Sequence, residues 1–165
     1  MSKYWYDENQ VFGTIPQEVL LSTSGLELAR KVISGELPEP SMSKALNFHM
    51  TEADEGRVVF RGRPLDEYYN PAGTVHGGWA GAILDSSLAC CVWTKVPVGL
   101  FYTTAEFKVN LIRPMTEKTG EVICEAKVIH IGRKLATSEG TIKTLDGKLI
   151  AHGTETCAIV NPKEI

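Results

Sequence analysis

The chain has 165 residues, a net charge of -3 and 43% hydrophobic side chains, which suits one domain with a core of its own. A pI near 5.8 gives no electrostatic reason to expect nucleic acid or an acidic membrane surface as partner. The opening MSKYWYDENQ lacks the apolar run of a signal peptide and no stretch reaches the length of a membrane span, so a cytoplasmic protein is expected.

Residues 1–22 are mixed, with an aromatic cluster at Tyr4, Trp5 and Tyr6, and read as an extended arm over the domain or a partly disordered one. Ser24-Gly25-Leu26-Glu27 has the form of a capping box, and Leu26, Leu28, Ala29, Val32 and Ile33 supply a helical apolar stripe. Gly35 ends that helix, and Pro38 and Pro40 prevent its resumption. Residues 1–40 are therefore expected as an arm plus one short amphipathic helix, and residues 41–165 as the main domain. Next, ALNFHMTEAD and RVVFRGR flank the Glu55-Gly56 turn as a hairpin.

The stretch from Asn70 to Lys95 organises the rest. From Gly78 to Trp93 nearly every side chain is apolar or small, and a helix apolar on all sides belongs inside a protein. Asp85 alone does not fit, because a buried carboxylate needs partners or a use. Asn70, Pro71 and Gly73 form a turn before it. The pair Gly77-Gly78 then lets the backbone come close to whatever lies at the helix entrance, where free N–H groups hold an anion or polarise a carbonyl oxygen. Eight residues separate Gly77 from Asp85, about 12 Å along a helix axis. One reacting carbonyl cannot touch both, so joint action requires two antiparallel helices across a two-fold axis.

Pro97 and Gly99 break the chain, and four β-rich runs follow over Phe101–Ile112, Gly120–Ile131, Lys134–Leu145 and Lys148–Val160. Gly132 and Asp146-Gly147 mark tight turns, which make consecutive strands antiparallel. An antiparallel sheet wrapped around the apolar helix accommodates every element, an α+β architecture. The four cysteines, Cys90, Cys91, Cys124 and Cys157, form no C-x-x-C pair, and no histidine stands at zinc-ligand spacing. They read as small apolar packing residues of a reduced protein, with no metal site.

At the residue level the chain resembles the PaaI-like acyl-CoA thioesterases of the hotdog fold, in which a long curved antiparallel sheet wraps a central buried helix. The likeness rests on NPAGTVHGG at 70–78, LDS at 84–86, YTTAEFKVNLIRP at 102–114, IGRK at 131–134 and DGKLIAHGT at 146–154. It implies hydrolysis of an acyl-CoA thioester, with coenzyme A as part of the substrate and no separate cofactor. It implies Asp85 as nucleophile or general base, and the Gly77 N–H, with Gly78 beside it, as the group that polarises the thioester carbonyl. Asn70 and His76 correspond to loop residues that help hold the attacking water and the loop, and Thr104 to a hydroxyl that orients the water. Arg133 and Lys134 fall in a turn that contacts coenzyme A phosphates, as Gly78 also borders that moiety. The family's sites lie between protomers, so a homodimer or a dimer of dimers is expected.

Plainer roles stand beside these. Asp85 suits an interface carboxylate, His76 a loop cap, Asn70 an ordinary turn, Thr104 strand packing, and Arg133 and Lys134 a solvated turn. Ser86 and Ser87 lack a nucleophile elbow and read as packing or hydrogen-bonding residues. A non-catalytic acyl-CoA-binding protein is the second reading of the chain, favoured by an Asp85 fully occupied with structural bonds. A hotdog dehydratase is the third, disfavoured because His76 sits beside the glycines while Asp85 follows the thioesterase pattern.

Overall fold

The computed structural model describes residues 3–164; the first two residues of the arm and Ile165 lie outside the described residues. In chain order the elements are α1 (Gln17–Ser22), α2 (Gly25–Ile33), α3 (Ser41–Leu46), β1 (Phe48–Asp54), β2 (Arg57–Gly62), α4 (Gly77–Trp93), β3 (Phe101–Leu111), β4 (Val122–Ile131), β5 (Leu135–Thr144) and β6 (Leu149–Val160).

The strands form one antiparallel sheet in the order β1-β2-β4-β5-β6-β3. α4 lies against every one of them. Ile83, Leu84, Leu88, Cys91 and Val92 are sealed from solvent, as expected of a helix without a polar face. Inward side chains of the strands, among them Val58, Val122, Cys124, Ala126 and Ile142, complete the core. The Trp79 indole N–H donates to the Leu46 carbonyl at 2.7 Å and its ring stacks on Tyr68, which fixes the start of α4.

Among the described residues β3 pairs with β6 alone, and its other edge carries no strand. Its pairing slips between Thr104 and Glu106, leaving Ala105 as an extra residue. Such a bulge shifts the side-chain alternation. Thr104 is opposite Cys157 and Phe107 opposite Glu155, so both face α4 although they are three residues apart.

Two helices were not anticipated. α1 and α3 each have six residues, begin after Pro16 and Pro40, and lack a side-chain cap. Helices this short carry no full apolar period and depend on their surroundings. α2 forms where its pattern places it, with the Ser24 Oγ accepting from the Glu27 N–H at 3.3 Å. Its Leu28, Ala29 and Val32 are buried. Gly25 sits against the end of α4 so closely that a Cβ there would lie 1.9 Å from the Trp93 carbonyl oxygen. The arm does lie over the domain: Trp5 stacks on His49 of β1 with ring centroids 4.0 Å apart. Buried Asn47 ties it down, its Oδ1 accepting from the Trp5 N–H and its Nδ2 donating to the carbonyls of Lys3 and Arg63.

Candidate active site

The loop before α4 is built by Asn70. Its Oδ1 accepts from the Ala72 N–H at 2.9 Å and from the Thr74 N–H at 3.4 Å, while its Nδ2 donates to the Thr74 hydroxyl at 2.9 Å. The chain then runs into the helix with the Val75 N–H on the Met115 carbonyl and the His76 N–H on the Tyr68 carbonyl. His76 caps α4, its Nδ1 accepting from the Gly78 N–H at 2.9 Å. The Gly78 amide is thereby occupied.

The Gly77 N–H has no acceptor among the described residues. It carries the positive end of a 17-residue helix. Beside it opens a cavity of about 280 Å³ lined by Asn70, Thr74, Gly77, Ala80, Leu111 and Met115. A Cβ on Gly77 would lie 2.6 Å from Leu111 Cδ1, so only glycine leaves this entrance open with Leu111 in place.

Two turns further along α4, Asp85 is half-buried. Its Oδ1 accepts from the Thr104 hydroxyl of β3 at 3.3 Å, and no N–H or cation reaches it among the described residues. The family resemblance implied for Thr104 a hydroxyl that orients the attacking water; in the structure that hydroxyl donates to Asp85. Sequence reasoning missed a third member. Glu155 of β6 is 1% exposed, and its Oε1 accepts from the same Thr104 hydroxyl at 2.9 Å and from the Cys157 thiol at 3.1 Å. Its Oε2 is buried without a partner. Burial pushes the Glu155 carboxyl up to about 7, with the charge of nearby Asp85 adding to the effect. Strand alternation held the signal: Ala151, Gly153, Glu155 and Cys157 share the inward face, and a glutamate among them is out of place.

The remaining candidates lie elsewhere. Arg133 and Lys134 are exposed in the β4–β5 turn and form no ion pair among the described residues. This turn sits at the end of the sheet where β3 begins, since the Ile159 N–H donates to the Lys134 carbonyl and Phe101 pairs with Val160. It is thus remote from the Gly77 entrance, which lies beside Leu111 at the other end of β3. Ser87 is buried and donates to the Leu84 carbonyl. Cys91 and Cys124 are sealed in the core, where burial pushes both thiols up to about 12. Among the described residues no three His, Cys, Asp or Glu side chains converge as a metal site, and no helix is long and apolar enough to cross a membrane.

An entrance amide, a cavity beside it and a hydroxyl-bound carboxylate on one buried helix suit acyl chemistry, and known proteins resemble the chain. The thioesterase superfamily model matches residues 72–151, a span that holds Gly77, Asp85 and Thr104. Over that span the chain is similar to the thioesterase superfamily. It is 29% identical over 145 residues to acyl-coenzyme A thioesterase 13 of Homo sapiens, covering 81% of this chain and 96% of that protein. The phenylacetic acid degradation-related protein of Ralstonia eutropha superposes with a TM-score of 0.71 at 28% identity, covering 79% of this chain and 98% of that one. The E. coli PaaI protein, from the phenylacetic acid degradation operon, gives a TM-score of 0.70 at 20% identity over 83% of this chain and 96% of its own. That likeness is one of fold. The sheet wrapped on α4 is the hotdog fold expected from the motifs, and this chain carries it with α1, α2 and α3 added at the front.

Proposed function

We propose that the protein hydrolyses an acyl-CoA thioester to a free carboxylic acid and coenzyme A. Asp85 serves as general base or nucleophile, and the Gly77 N–H polarises the thioester carbonyl. The reading is carried by one observation: among the described residues, α4 presents an amide without an acceptor at its entrance and a carboxylate to which the Thr104 hydroxyl is the one donor, at 3.3 Å. The amide lies where charge develops on the carbonyl oxygen as it is attacked; loss of one such donor costs roughly 2.7 to 4 kcal/mol. A carboxylate held by one hydroxyl keeps lone pairs for a water or for the acyl carbon. Had Asp85 been saturated by structural bonds, the binding-protein reading would gain.

The site is shared between two copies. β3 runs back along α4, with Leu111 beside Gly77, Phe107 beside Gly81 and Thr104 at Asp85. Phe107 and Leu111, 45% and 57% exposed, stand on the strand whose outer edge is unpaired. A two-fold axis near Phe107 would pair β3 with its copy and, with Ala105 as the extra residue, set position 111 of one chain opposite position 102 of the other. The Gly77 amide of one chain then arrives beside Thr104 and Asp85 of its neighbour. The Arg133-Lys134 turn lies at that same end, where it suits the phosphates of coenzyme A. Asn70 holds the loop of the arriving entrance and His76 its cap, and the Gly78 amide, taken by His76, leaves the carbonyl to Gly77.

A panel of acyl-CoAs, assayed for release of free thiol, tests the activity and names the acyl group. Asp85→Asn is expected to keep the fold and lose most turnover; a variant as fast as the parent on its best substrate sinks the mechanism. Mixing inactive Asp85→Asn chains with inactive chains altered at Gly77 tests the sharing. Hybrid dimers regain one intact site, whereas a site within one chain gains nothing from mixing.

A further inference from the structure

The pair of acids behind Thr104 goes beyond the proposed chemistry. Thr104 has one hydroxyl proton and two carboxylates to give it to, Glu155 at 2.9 Å and Asp85 at 3.3 Å. With both acids ionised, the shorter contact takes the proton. Asp85 would then face a second negative charge with no donor of its own.

No cation relieves this, since neither acid forms an ion pair among the described residues. The groups facing Glu155 are Asp85 and the Cys90 and Cys91 thiols from α4, the Tyr102 phenol and Thr104 hydroxyl from β3, and the Cys157 thiol from its own strand. On β5, Ser138 is opposite Glu155 in register and spends its hydroxyl on the Leu88 carbonyl. Among the described residues Asp85 is the only other acid whose charge bears on Glu155, and it pushes the Glu155 carboxyl further up. Two carboxyl groups set on one hydroxyl are held together best with one proton between them.

Resting on the reading of Asp85 as the reactive carboxylate, we propose that Glu155 is a positioning residue. It holds the one proton the two acids share and, by donating it to the Thr104 oxygen, turns the Thr104 hydroxyl toward Asp85. Asp85 stays ionised and fixed in orientation, while the water or acyl group approaches its open side. Glu155 touches neither. The buried, unpartnered Oε2 supports this, because a bare carboxylate oxygen sealed from water is costly and a protonated one far less so. Burial that lifts the Glu155 carboxyl to about 7 agrees with it. As pH rises past that point Glu155 gives up its proton, captures the Thr104 hydroxyl and leaves Asp85 unsupported, so turnover declines.

The test compares kcat and KM from about pH 6 to about pH 9 for the parent, Glu155→Gln, Glu155→Ala and Asp85→Asn, using the best acyl-CoA from the panel. Glutamine copies the protonated acid in shape and as donor. Glu155→Gln is therefore expected to stay within about threefold of the parent kcat at the acid end and to lack the parent's decline on the alkaline side. Glu155→Ala is expected to fall at least about tenfold in kcat at every pH, with KM little changed. A Glu155→Gln profile with the parent's alkaline limb, or equal losses in Gln and Ala variants, overturns the proposal. Infrared difference spectra of the folded parent between the two ends of the range give a readout without turnover. Glu39, raised to the same range, gives a protonated-carboxyl band in parent and variant alike, so a second band lost on raising pH in the parent and missing from Glu155→Gln supports the shared proton; identical spectra in the two proteins overturn it. Asp85→Asn separates the failures: full activity there removes the Asp85 reading itself, while an inactive Asp85→Asn beside an unchanged Glu155→Gln profile removes only Glu155.

Discussion

Leu111 closes over Gly77, its Cδ1 only 2.6 Å from where a Cβ at position 77 would stand. Since Leu111 is 57% exposed, it can swing aside, and Gly77→Ala is expected to fold. Its added methyl and the displaced leucine crowd the cavity at the helix entrance. kcat is expected to drop by at least about tenfold, up to the full loss of one oxyanion donor. Leu111→Ala in the same chain should return part of that rate. Steady-state kinetics with thermal melting decide it; parent kinetics in Gly77→Ala would remove the entrance from the reaction.

Thr104 bridges two acids by one hydroxyl. Thr104→Val keeps the shape and deletes that bridge. A loss of about 10- to 100-fold in kcat is expected with KM nearly unchanged, and Thr104→Ser should hold most of the activity. If valine is as fast as threonine, the hydroxyl has no part in holding Asp85.

His76 and the Gly78 amide form the cap of α4 at 2.9 Å. His76→Ala is expected to lower stability by about 1 kcal/mol, and His76→Asn, another good capping residue, to restore it. Denaturant melts measure the stability and the same proteins are assayed for turnover. Recovery of both in the asparagine variant marks His76 as a cap; recovery of stability without rate would assign it chemistry.

Glu39 is 3% exposed, and burial raises its carboxyl to about 7, with Ser43 nearby acting in the opposite direction. Between the ordinary carboxylate range and about pH 7, the folded chain keeps a proton that the unfolded chain has lost. Stability present at low pH is therefore lost as pH rises through that window. Glu39→Gln is expected to be more stable than the parent at about pH 8 by on the order of 2 kcal/mol, and close to it at about pH 4. Half-buried His49 has the opposite sign, lowered to about 4 by desolvation, so it adds stability as pH rises from there toward the usual histidine range. Comparing variant with parent at each pH cancels it. Urea melts at the two ends check the difference.

Much of the frame was legible in the sequence because its signals are local. α4 spans Gly77–Trp93, one residue from the apolar run read off the chain, and the Asp146-Gly147 turn closes β5 onto β6 with Gly147 at φ +84. α1 and α3 were illegible because six residues after a proline carry too few apolar positions to show a period. Asp85 stood out as one charge on an apolar helix. Glu155 did not, since Thr154 and Thr156 beside it are polar and the strand reads as an ordinary half-wet one. Its importance comes from a meeting of β6, β3 and α4 that residue spacing within one strand does not encode. Nor did spacing reveal that His76 takes the Gly78 amide and leaves Gly77 alone at the entrance.

The supernumerary Ala105 makes the protein sensitive to chain length as well as chemistry. Deleting it would restore a regular zigzag to β3 and rotate everything on one flank of the deletion by half a turn. Either Thr104 would leave Asp85 for the outer surface, or Phe107 and Leu111 would leave α4. Function here is keyed to a count of residues, and a single codon lost from the gene would silence it without touching one reactive group.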